Sequence, residues 1–202
     1  MTLLSEFDDF LQAHAKNYNM KFIYLVRDPR GLMNSRLRIS RVQYKEVGRG
    51  ADIAKKVGGH CRKMTENVEF IKNSEFWSSR TTIVRYEDVA LRPKEFAKQL
   101  YKEVNIDYLP LIDQWIDVNT HSDSKRLNIY ATARNSATIA FDWRNPHSNR
   151  RMPSEFLDDV QEYCGDMMDV FGYSKFNGEK EMFNMTLLPM VDKKEVSFLF
   201  NF

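Results

Sequence analysis

Two kinds of hydrophobic pattern alternate along the chain. Residues 22–26 form an unbroken apolar run, which is typical of a strand buried on both faces in a parallel sheet. A second run at residues 81–86 predicts another strand. Elsewhere, apolar residues recur at three- and four-residue spacing, which predicts helices over residues 3–15, about 52–73, from Pro93 onward, 108–118 and about 154–171.

The step from the first strand to the next helix is also marked. Asp28 and Pro29 are a capping residue and a first-turn proline, so we expect a helix that begins there and ends near residue 41. Strands that alternate with helices indicate an α/β protein with a parallel sheet. Ligands of such sheets bind beyond the carboxyl ends of the strands, which points to Arg27 and to residues 85–88.

Composition limits the classes of function. A chain of 202 residues suits one large domain, and 30 basic against 28 acidic residues leave a net charge of +2. This balance does not predict binding to nucleic acid or membranes through bulk charge. No apolar run approaches the ~18 residues of a membrane span, and the first ten residues are acidic and amphipathic, unlike a signal peptide. We expect no targeting segment in this chain.

The cysteines and histidines give no metal signature. The four histidines share no ligand spacing, so we expect no metal. Cys61 and Cys164 are favoured as two buried thiols. The alternative is one disulfide, which would require an oxidising compartment. The sequon at residues 184–186 is compatible with secretion, but such motifs also arise by chance.

Arg27 and Ser35 are candidates for binding a phosphate. Arg27 ends the first strand directly before a helix, and a guanidinium matches phosphate oxygens two at a time. Ser35 follows eight positions later, on the side of that helix shared by Leu32 and Ile39. In the alternative interpretation, Arg27 and Arg30 pair with acidic neighbours in solvent at a capped helix start. The residues alone leave both interpretations open.

The segment resembles a known binding element. The strand, Arg27-Asp28-Pro29-Arg30 and the later Ser35-Arg36 are similar to the 3′-phosphate-binding element of sulfotransferases that use 3′-phosphoadenosine-5′-phosphosulfate. The resemblance implies that Arg27 and Ser35 hold the 3′-phosphate. It continues in order from about residue 21 to 173, through Cys61-Arg62, residues 84–89, Trp115-Ile116, Arg134-Asn135, Trp143-Arg144, Tyr163-Cys164 and residues 171–173.

These blocks are most similar to Golgi carbohydrate sulfotransferases that act on the 6-hydroxyls of galactose or N-acetylglucosamine. The resemblance implies a P-loop-NTPase-like parallel sheet flanked by helices, 3′-phosphoadenosine-5′-phosphosulfate as donor and a glycan or glycoprotein acceptor. It also implies a Golgi lumenal location and a membrane anchor in the full-length form. Arg134 and Arg144 are candidate donor-binding residues, although structural pairing would explain them too. No catalytic base is identified, and the oligomeric state is not indicated.

One part of the family pattern has no counterpart. Such enzymes carry a basic, Gly/Ser-rich 5′-phosphosulfate loop after their first strand, and this sequence contains no such loop. We therefore expect a partial sulfotransferase domain at residues 1–178, missing its first strand and that loop, and a C-terminal tail at residues 179–202. The alternative to an active enzyme is an inactive fragment that retains only 3′-phosphate binding. A nucleotide kinase is disfavoured, because Gly-x-x-x-x-Gly-Lys-Ser/Thr is absent.

Two further groups of residues have competing interpretations. Arg85, Glu87 and Asp88 follow the second strand and could contact substrate or donor. We favour a buried ion-pair cluster that ties loops together. Trp143 is favoured as a core residue over a platform that stacks on a sugar.

Overall fold

The two strands of the sheet have the predicted parallel orientation. The computed structural model describes residues 2–39, 50–121 and 135–199. Within these ranges, strands β1 (Phe22–Val26) and β2 (Thr81–Arg85) pair in parallel, with Phe22 opposite Thr81 and Val26 opposite Arg85. Both predicted strands and the parallel pairing are confirmed. Because the strands are in register, their carboxyl ends lie together at one edge.

The other regular elements of the described ranges are helices. In chain order they are α1 (Asp8–Ala15), α2 (Pro29–Ile39), α3 (Gly50–Asn73), α4 (Glu75–Ser78), α5 (Tyr86–Leu91), α6 (Pro93–Glu103), α7 (Pro110–Thr120), α8 (Ser136–Phe141), α9 (Leu157–Tyr163), α10 (Gly165–Phe171) and α11 (Gly178–Met182). Short 3-10 turns occupy Leu4–Phe7, Asp142–Arg144, Ser154–Phe156 and Lys193–Glu195. None of the helices in the described ranges is both long and apolar enough to cross a membrane.

The start of α2 follows its capping sequence. The backbone N–H of Arg30 donates to Asp28 Oδ1 at 2.9 Å, and Pro29 occupies the first helical position, where no amide donor is needed. The predicted cap is therefore confirmed. The Asp28 carboxylate already offsets part of the positive end of this helix.

Helix α3 is the long element against which the other parts pack. It contacts α2, α4, α9 and α10, and it buries Val57, Val68 and Ile71 in the main core. A covalent bond also attaches α3 to the end of α9: Cys61 and Cys164 form a disulfide with their Cα atoms 5.3 Å apart. The favoured interpretation of two buried thiols was wrong. Sequence spacing could not reveal the pairing, because it depends on how α3 packs against the end of α9.

The predicted helix over residues 154–171 is interrupted. It consists of a 3-10 turn, then α9, then α10, and the break lies at Cys164, whose φ of −117° and ψ of 10° are not helical. The disulfide fixes Cys164 against α3, and the following Gly165 has low helix propensity. Helices α5 and α8 were not predicted because six residues are too few for a 3.6-residue period to show.

Strand β1 is buried on only one face. Phe22, Tyr24 and Val26 face the main core, whereas Ile23 and Leu25 are 51% and 52% exposed. The prediction of a strand buried on both faces was therefore wrong for the described chain. Its helices pack against the side that carries Val26 and leave the other side of β1 open.

The C-terminal segment, residues 179–199, packs closely against the rest of the described chain. Met182, Lys193 and Leu199 are buried, and Met190 forms an isolated antiparallel bridge with Tyr173. This segment is not peripheral, although its sequence shows no periodic pattern. The domain boundary at residue 178 stays a prediction.

Candidate anion-binding site

Arg27 and Tyr86 occupy equivalent places at the edge of the sheet. Each residue directly follows a strand, and the last strand residues, Val26 and Arg85, are opposite one another. The Arg27 guanidinium therefore stacks on the Tyr86 ring, with 4.7 Å from its central carbon to the ring centre. The ring face attracts the cation without neutralising its charge.

A buried ionic cluster lies beside this pair, formed by Asp28, Arg30, Arg85, Glu87 and Asp88. Arg30 binds Asp28 at 2.7 Å, and Arg85 binds Asp88 at 2.6 Å. The favoured interpretation of Arg85, Glu87 and Asp88 as a buried cluster is confirmed. Because each guanidinium has its own carboxylate, the net charge of these two pairs is close to zero.

The remaining donors of the cluster reach the C-terminal part of the chain. Arg85 donates to the carbonyls of Phe171 and Val191 at 3.1 and 3.0 Å. Arg30 donates to the carbonyls of Ser174 and Pro189 at 2.7 and 3.2 Å. The cluster thus ties the strand ends to the C-terminal segment, and its guanidinium donors have partners within the protein.

Glu87 differs from the other carboxylates of the cluster. It accepts hydrogen bonds from the Asp28 backbone N–H at 3.1 Å and from the Tyr173 hydroxyl at 2.8 Å. Burial, and secondarily the negative charge of Asp28, raises the pKa of Glu87 to about 7. Burial, followed by the charge of Glu87, also raises the pKa of Tyr173 well above its usual value.

Arg27 has a different environment. It is half-buried, its Nε has no hydrogen-bond partner, and no acidic side chain of the described ranges pairs with it. A buried donor without a partner costs ~1–3 kcal/mol, and a guanidinium without a counter-ion is costly to bury. Arg27 is therefore suited to an anion that comes from outside the described chain. The solvent ion pair considered as the alternative for Arg27 is not present in these ranges.

Ser35 lies on the same side of α2 as this guanidinium. A side-chain carbon added at Gly31 would lie 3.6 Å from Arg27 Nε, so the Gly31 side of α2 faces Arg27. Ser35 follows Gly31 by four positions, and residues at that spacing are neighbours ~5–6 Å apart on one helix face. This placement is compatible with a shared anion.

Trp143 completes the surroundings of Gly31. Its ring atom Cδ1 would lie 3.2 Å from a carbon added at Gly31, and the indole is buried in a small core with Met152 and Phe176. The favoured interpretation of Trp143 as a core residue is confirmed. Its indole Nε1 is also buried, and no residue of the described ranges accepts a hydrogen bond from it.

Arg144 binds the C-terminal segment. Its three guanidinium nitrogens donate to the carbonyls of Met182, Asn184 and Leu187. Burial, and then the charge of Arg30, lowers the pKa of Arg144. These contacts account for its conformation, and its role in binding the donor stays a prediction. Arg134 lies outside the described residues.

The part of the chain that carries both strands matches a known protein family. Residues 14–110, which include both strands, Arg27 and Ser35, match the model of the sulfotransferase family. The chain carries a sulfotransferase-family domain. Carbohydrate sulfotransferase 3 of Mus musculus is 30% identical over 177 residues, covering 82% of this chain and 36% of that protein.

Other relatives lie in the same group of sulfotransferases. Carbohydrate sulfotransferase 1 of Danio rerio is 30% identical over 193 residues, which is 90% of this chain and 44% of that protein. Carbohydrate sulfotransferase 4 of Mus musculus is 28% identical over 184 residues, which is 84% of this chain and 46% of that protein. The chain thus spans less than half the length of these relatives. No solved structure matches the chain significantly.

Sequence reasoning missed two residues that lie next to Arg27. Tyr86 could have been found, because it follows β2 as Arg27 follows β1 in a sheet predicted to be parallel. Gly31 carried a weaker signal, since a glycine inside a helix often marks a close approach. Across residues 2–39, 50–121 and 135–199, no group of three or more His, Cys, Asp or Glu residues could hold a metal ion.

Proposed function

We propose that this chain belongs to an enzyme that transfers a sulfuryl group from 3′-phosphoadenosine-5′-phosphosulfate to a carbohydrate, at the 6-hydroxyl of galactose or N-acetylglucosamine. The observation that carries the proposal is the environment of the Arg27 side chain. In a sulfotransferase-family domain, this guanidinium lies at the carboxyl edge of the sheet without an acidic partner in the described chain. Arg30 and Arg85, by contrast, are each paired with a carboxylate.

In this proposal, Arg27 and Ser35 hold the donor's 3′-phosphate. The guanidinium supplies charge and paired N–H donors, and the Ser35 hydroxyl supplies a further donor from the next turn of α2. The Tyr86 ring fixes the plane of the guanidinium and leaves its charge available to the anion. The residues present therefore fit a phosphate at this edge.

The donor-binding roles of Arg134 and Arg144 have less direct support. Arg134 keeps the donor-binding role that the family resemblance implies. For Arg144 the contacts favour an indirect contribution: it anchors the C-terminal segment and so holds the neighbouring Trp143 against Gly31. Each of these arginines can be substituted while Arg27 is kept, so the two roles can be tested separately.

The reaction makes limited demands on these groups. One sulfur–oxygen bond to the bridging phosphate oxygen breaks, another forms to the acceptor hydroxyl, and that hydroxyl loses its proton to a base. The products are the sulfate ester and adenosine 3′,5′-bisphosphate. Arg27 and Ser35 contribute by binding and orienting the donor, and alignment alone supplies a large part of such rate enhancements.

A Golgi lumenal location is part of the proposal. The disulfide between Cys61 and Cys164 supports an oxidising compartment. The relatives are named carbohydrate sulfotransferases, which supports a glycan or glycoprotein as the acceptor.

Nucleotide binding without transfer is the second candidate. The chain spans 36% to 46% of the length of the relatives described above, so binding of the 3′-phosphate and transfer of the sulfuryl group are separate claims for this chain. Bisphosphate binding with no sulfate appearing on galactose- or N-acetylglucosamine-containing acceptors would favour this candidate.

Calorimetric titration of two nucleotides tests the phosphate assignment. Adenosine 3′,5′-bisphosphate should bind more tightly than adenosine diphosphate, and the Arg27→Ala/Ser35→Ala variant should lose the difference. Hydrogen bonds to charged groups contribute ~1.5–3 kcal/mol each, so the loss should be about tenfold or more. Transfer itself is followed with radiolabelled donor and glycan acceptors.

Arg80→Ala is a matched control for this experiment. Arg80 lies directly before β2, at the opposite end of the strand from Arg85, and its guanidinium stacks on Phe76 at 4.7 Å. The control removes the same charge far from the proposed phosphate. Equal affinity for the two nucleotides in the wild type would overturn the assignment. An equal loss in Arg80→Ala would mean that only net charge matters.

A further inference from the structure

Two buried donors without partners lie near each other. The indole Nε1 of Trp143 and the guanidinium Nε of Arg27 are both enclosed, and neither has a hydrogen-bond acceptor in the described chain. Buried N–H groups in native proteins nearly always have a partner. Two such exceptions around one glycine indicate a shared acceptor.

Gly31 is the point that the two donors have in common. A carbon added there would lie 3.5 Å from Trp143 Nε1 and 3.6 Å from Arg27 Nε. The absence of a side chain therefore keeps a gap between the indole and the guanidinium. An oxygen atom over Gly31 would be within reach of both N–H groups after small adjustments.

Trp143 is held in place on several sides. Its carbonyl accepts a hydrogen bond from the Met152 backbone N–H at 2.6 Å, and the Arg30 guanidinium covers its ring at 4.8 Å. The next residue, Arg144, is anchored to the C-terminal segment. The indole is therefore not free to rotate towards another acceptor, and its orientation is fixed before a ligand arrives.

We propose that the indole N–H of Trp143 is a further donor to the anion held by Arg27, and that Gly31 keeps the space for it. This inference rests on the proposed function and adds a residue to it. With Arg27 and Ser35, the indole would make a third group around a terminal phosphate. A phosphate monoester offers three outer oxygens and could use all three groups.

Trp143→Phe removes the N–H and keeps an aromatic ring in the small core. Calorimetric titration should show adenosine 3′,5′-bisphosphate binding about tenfold or more weakly than to the wild type, as expected for a hydrogen bond to a charged group. Adenosine 5′-monophosphate, which has no 3′-phosphate, should bind equally to both proteins. This reference separates the loss of one phosphate contact from a general change of the nucleotide site.

Gly31→Ala tests the gap itself. The added carbon would lie 3.2 Å from Trp143 Cδ1 and would narrow the space between the donors, so bisphosphate affinity should fall while monophosphate affinity stays unchanged. Gly59→Ala is the matched control, because among the described residues a carbon at Gly59 within α3 meets Arg62 alone, at 3.9 Å. It should leave the affinity for both nucleotides unchanged.

A second measurement uses the wild type alone and does not depend on a folded variant. The ¹⁵N–¹H resonance of the Trp143 indole should shift when adenosine 3′,5′-bisphosphate is added, and not with the monophosphate. If the wild type prefers the bisphosphate but this resonance and the Trp143→Phe affinity do not change, the role of Trp143 is overturned and the proposed function stands. If the wild type shows no preference for the bisphosphate, the proposed function itself fails.

Discussion

The guanidinium of Arg27 lies 4.7 Å from the ring centre of Tyr86, where two parallel strands in register end side by side. Arg30 also stacks on an aromatic ring, that of Trp143, but unlike Arg27 it is bound to a carboxylate, that of Asp28. A carboxylate neutralises a guanidinium, whereas an aromatic ring orients it and leaves its charge in place. The strand register thus supplies a positioned cation at the edge of the sheet.

Substitutions of Tyr86 test this orienting role. Tyr86→Ala should weaken the binding of adenosine 3′,5′-bisphosphate by about two- to thirtyfold, because an exposed or partly desolvated cation–π contact contributes ~0.5–2 kcal/mol. Tyr86→Phe keeps the ring and should bind within about twofold of the wild type. Calorimetric titration measures both affinities. A Phe variant as weak as the Ala variant would show that the hydroxyl, not the ring, matters.

The position of Arg27 could be predicted from local sequence, but its surroundings could not. An apolar run, a capping residue and a proline fix the strand end and the helix start within a few residues of the chain. The surroundings of the Arg27 side chain depend instead on Trp143, which is distant in sequence, and on the pairing of β1 with β2. Such contacts arise from tertiary packing and leave no local pattern.

Arg144 provides a prediction about the C-terminal segment. Arg144→Ala should lower the free energy of unfolding by about 3 kcal/mol, because one buried and two partly buried carbonyls would lose charged donors. Arg144→Lys should recover little, since one ammonium cannot serve carbonyls in three directions. Urea denaturation measures the change in stability, and hydrogen exchange of residues 182–191 should quicken.

Arg151→Ala is the control for that experiment. Arg151 is exposed, and within the described ranges its guanidinium donates to the Pro146 carbonyl at 3.1 Å, so its removal should change the stability by less than about 0.5 kcal/mol. If Arg144→Ala were as mild as Arg151→Ala, the anchoring role would be wrong. Donor affinity measured on the same variants shows whether Arg144 also affects nucleotide binding.

The packing of this segment could not be predicted from its sequence for a physical reason. The groups that Arg30, Arg85 and Arg144 bind there are backbone carbonyls, which every residue type offers. Neither hydrophobic period nor side-chain chemistry marks them. By contrast, the periodic apolar residues of α3 identify its buried side directly.

The disulfide gives a prediction about redox state. It closes a loop of 103 residues, so reduction should lower the free energy of unfolding by about 2–5 kcal/mol. Alkylation of the unfolded, unreduced protein should add no label, and alkylation after reduction should add two. Mass spectrometry reads the labels, and urea denaturation with and without reductant reads the stability.

A Cys61→Ala/Cys164→Ala variant separates the bond from the reductant. It should unfold at the same urea concentration with and without reductant, close to the reduced wild type. Two labels on unreduced wild type would show free thiols and remove the support for an oxidising compartment.

Glu87 predicts a specific pH dependence. Its pKa of about 7 in the folded protein lies above the ordinary 4.5, so between these values the folded state binds more protons than the unfolded state. Stability from this group is therefore greatest below about pH 4.5 and falls as pH rises to about 7, by up to ~3 kcal/mol. Glu87→Gln stays neutral and can still bond to Asp28 and Tyr173, so its stability relative to wild type should increase from pH 5 to pH 8 in urea denaturation. The exposed Glu69→Gln should show no such trend, and a constant difference between Glu87→Gln and wild type would mean that Glu87 is ionised throughout this range.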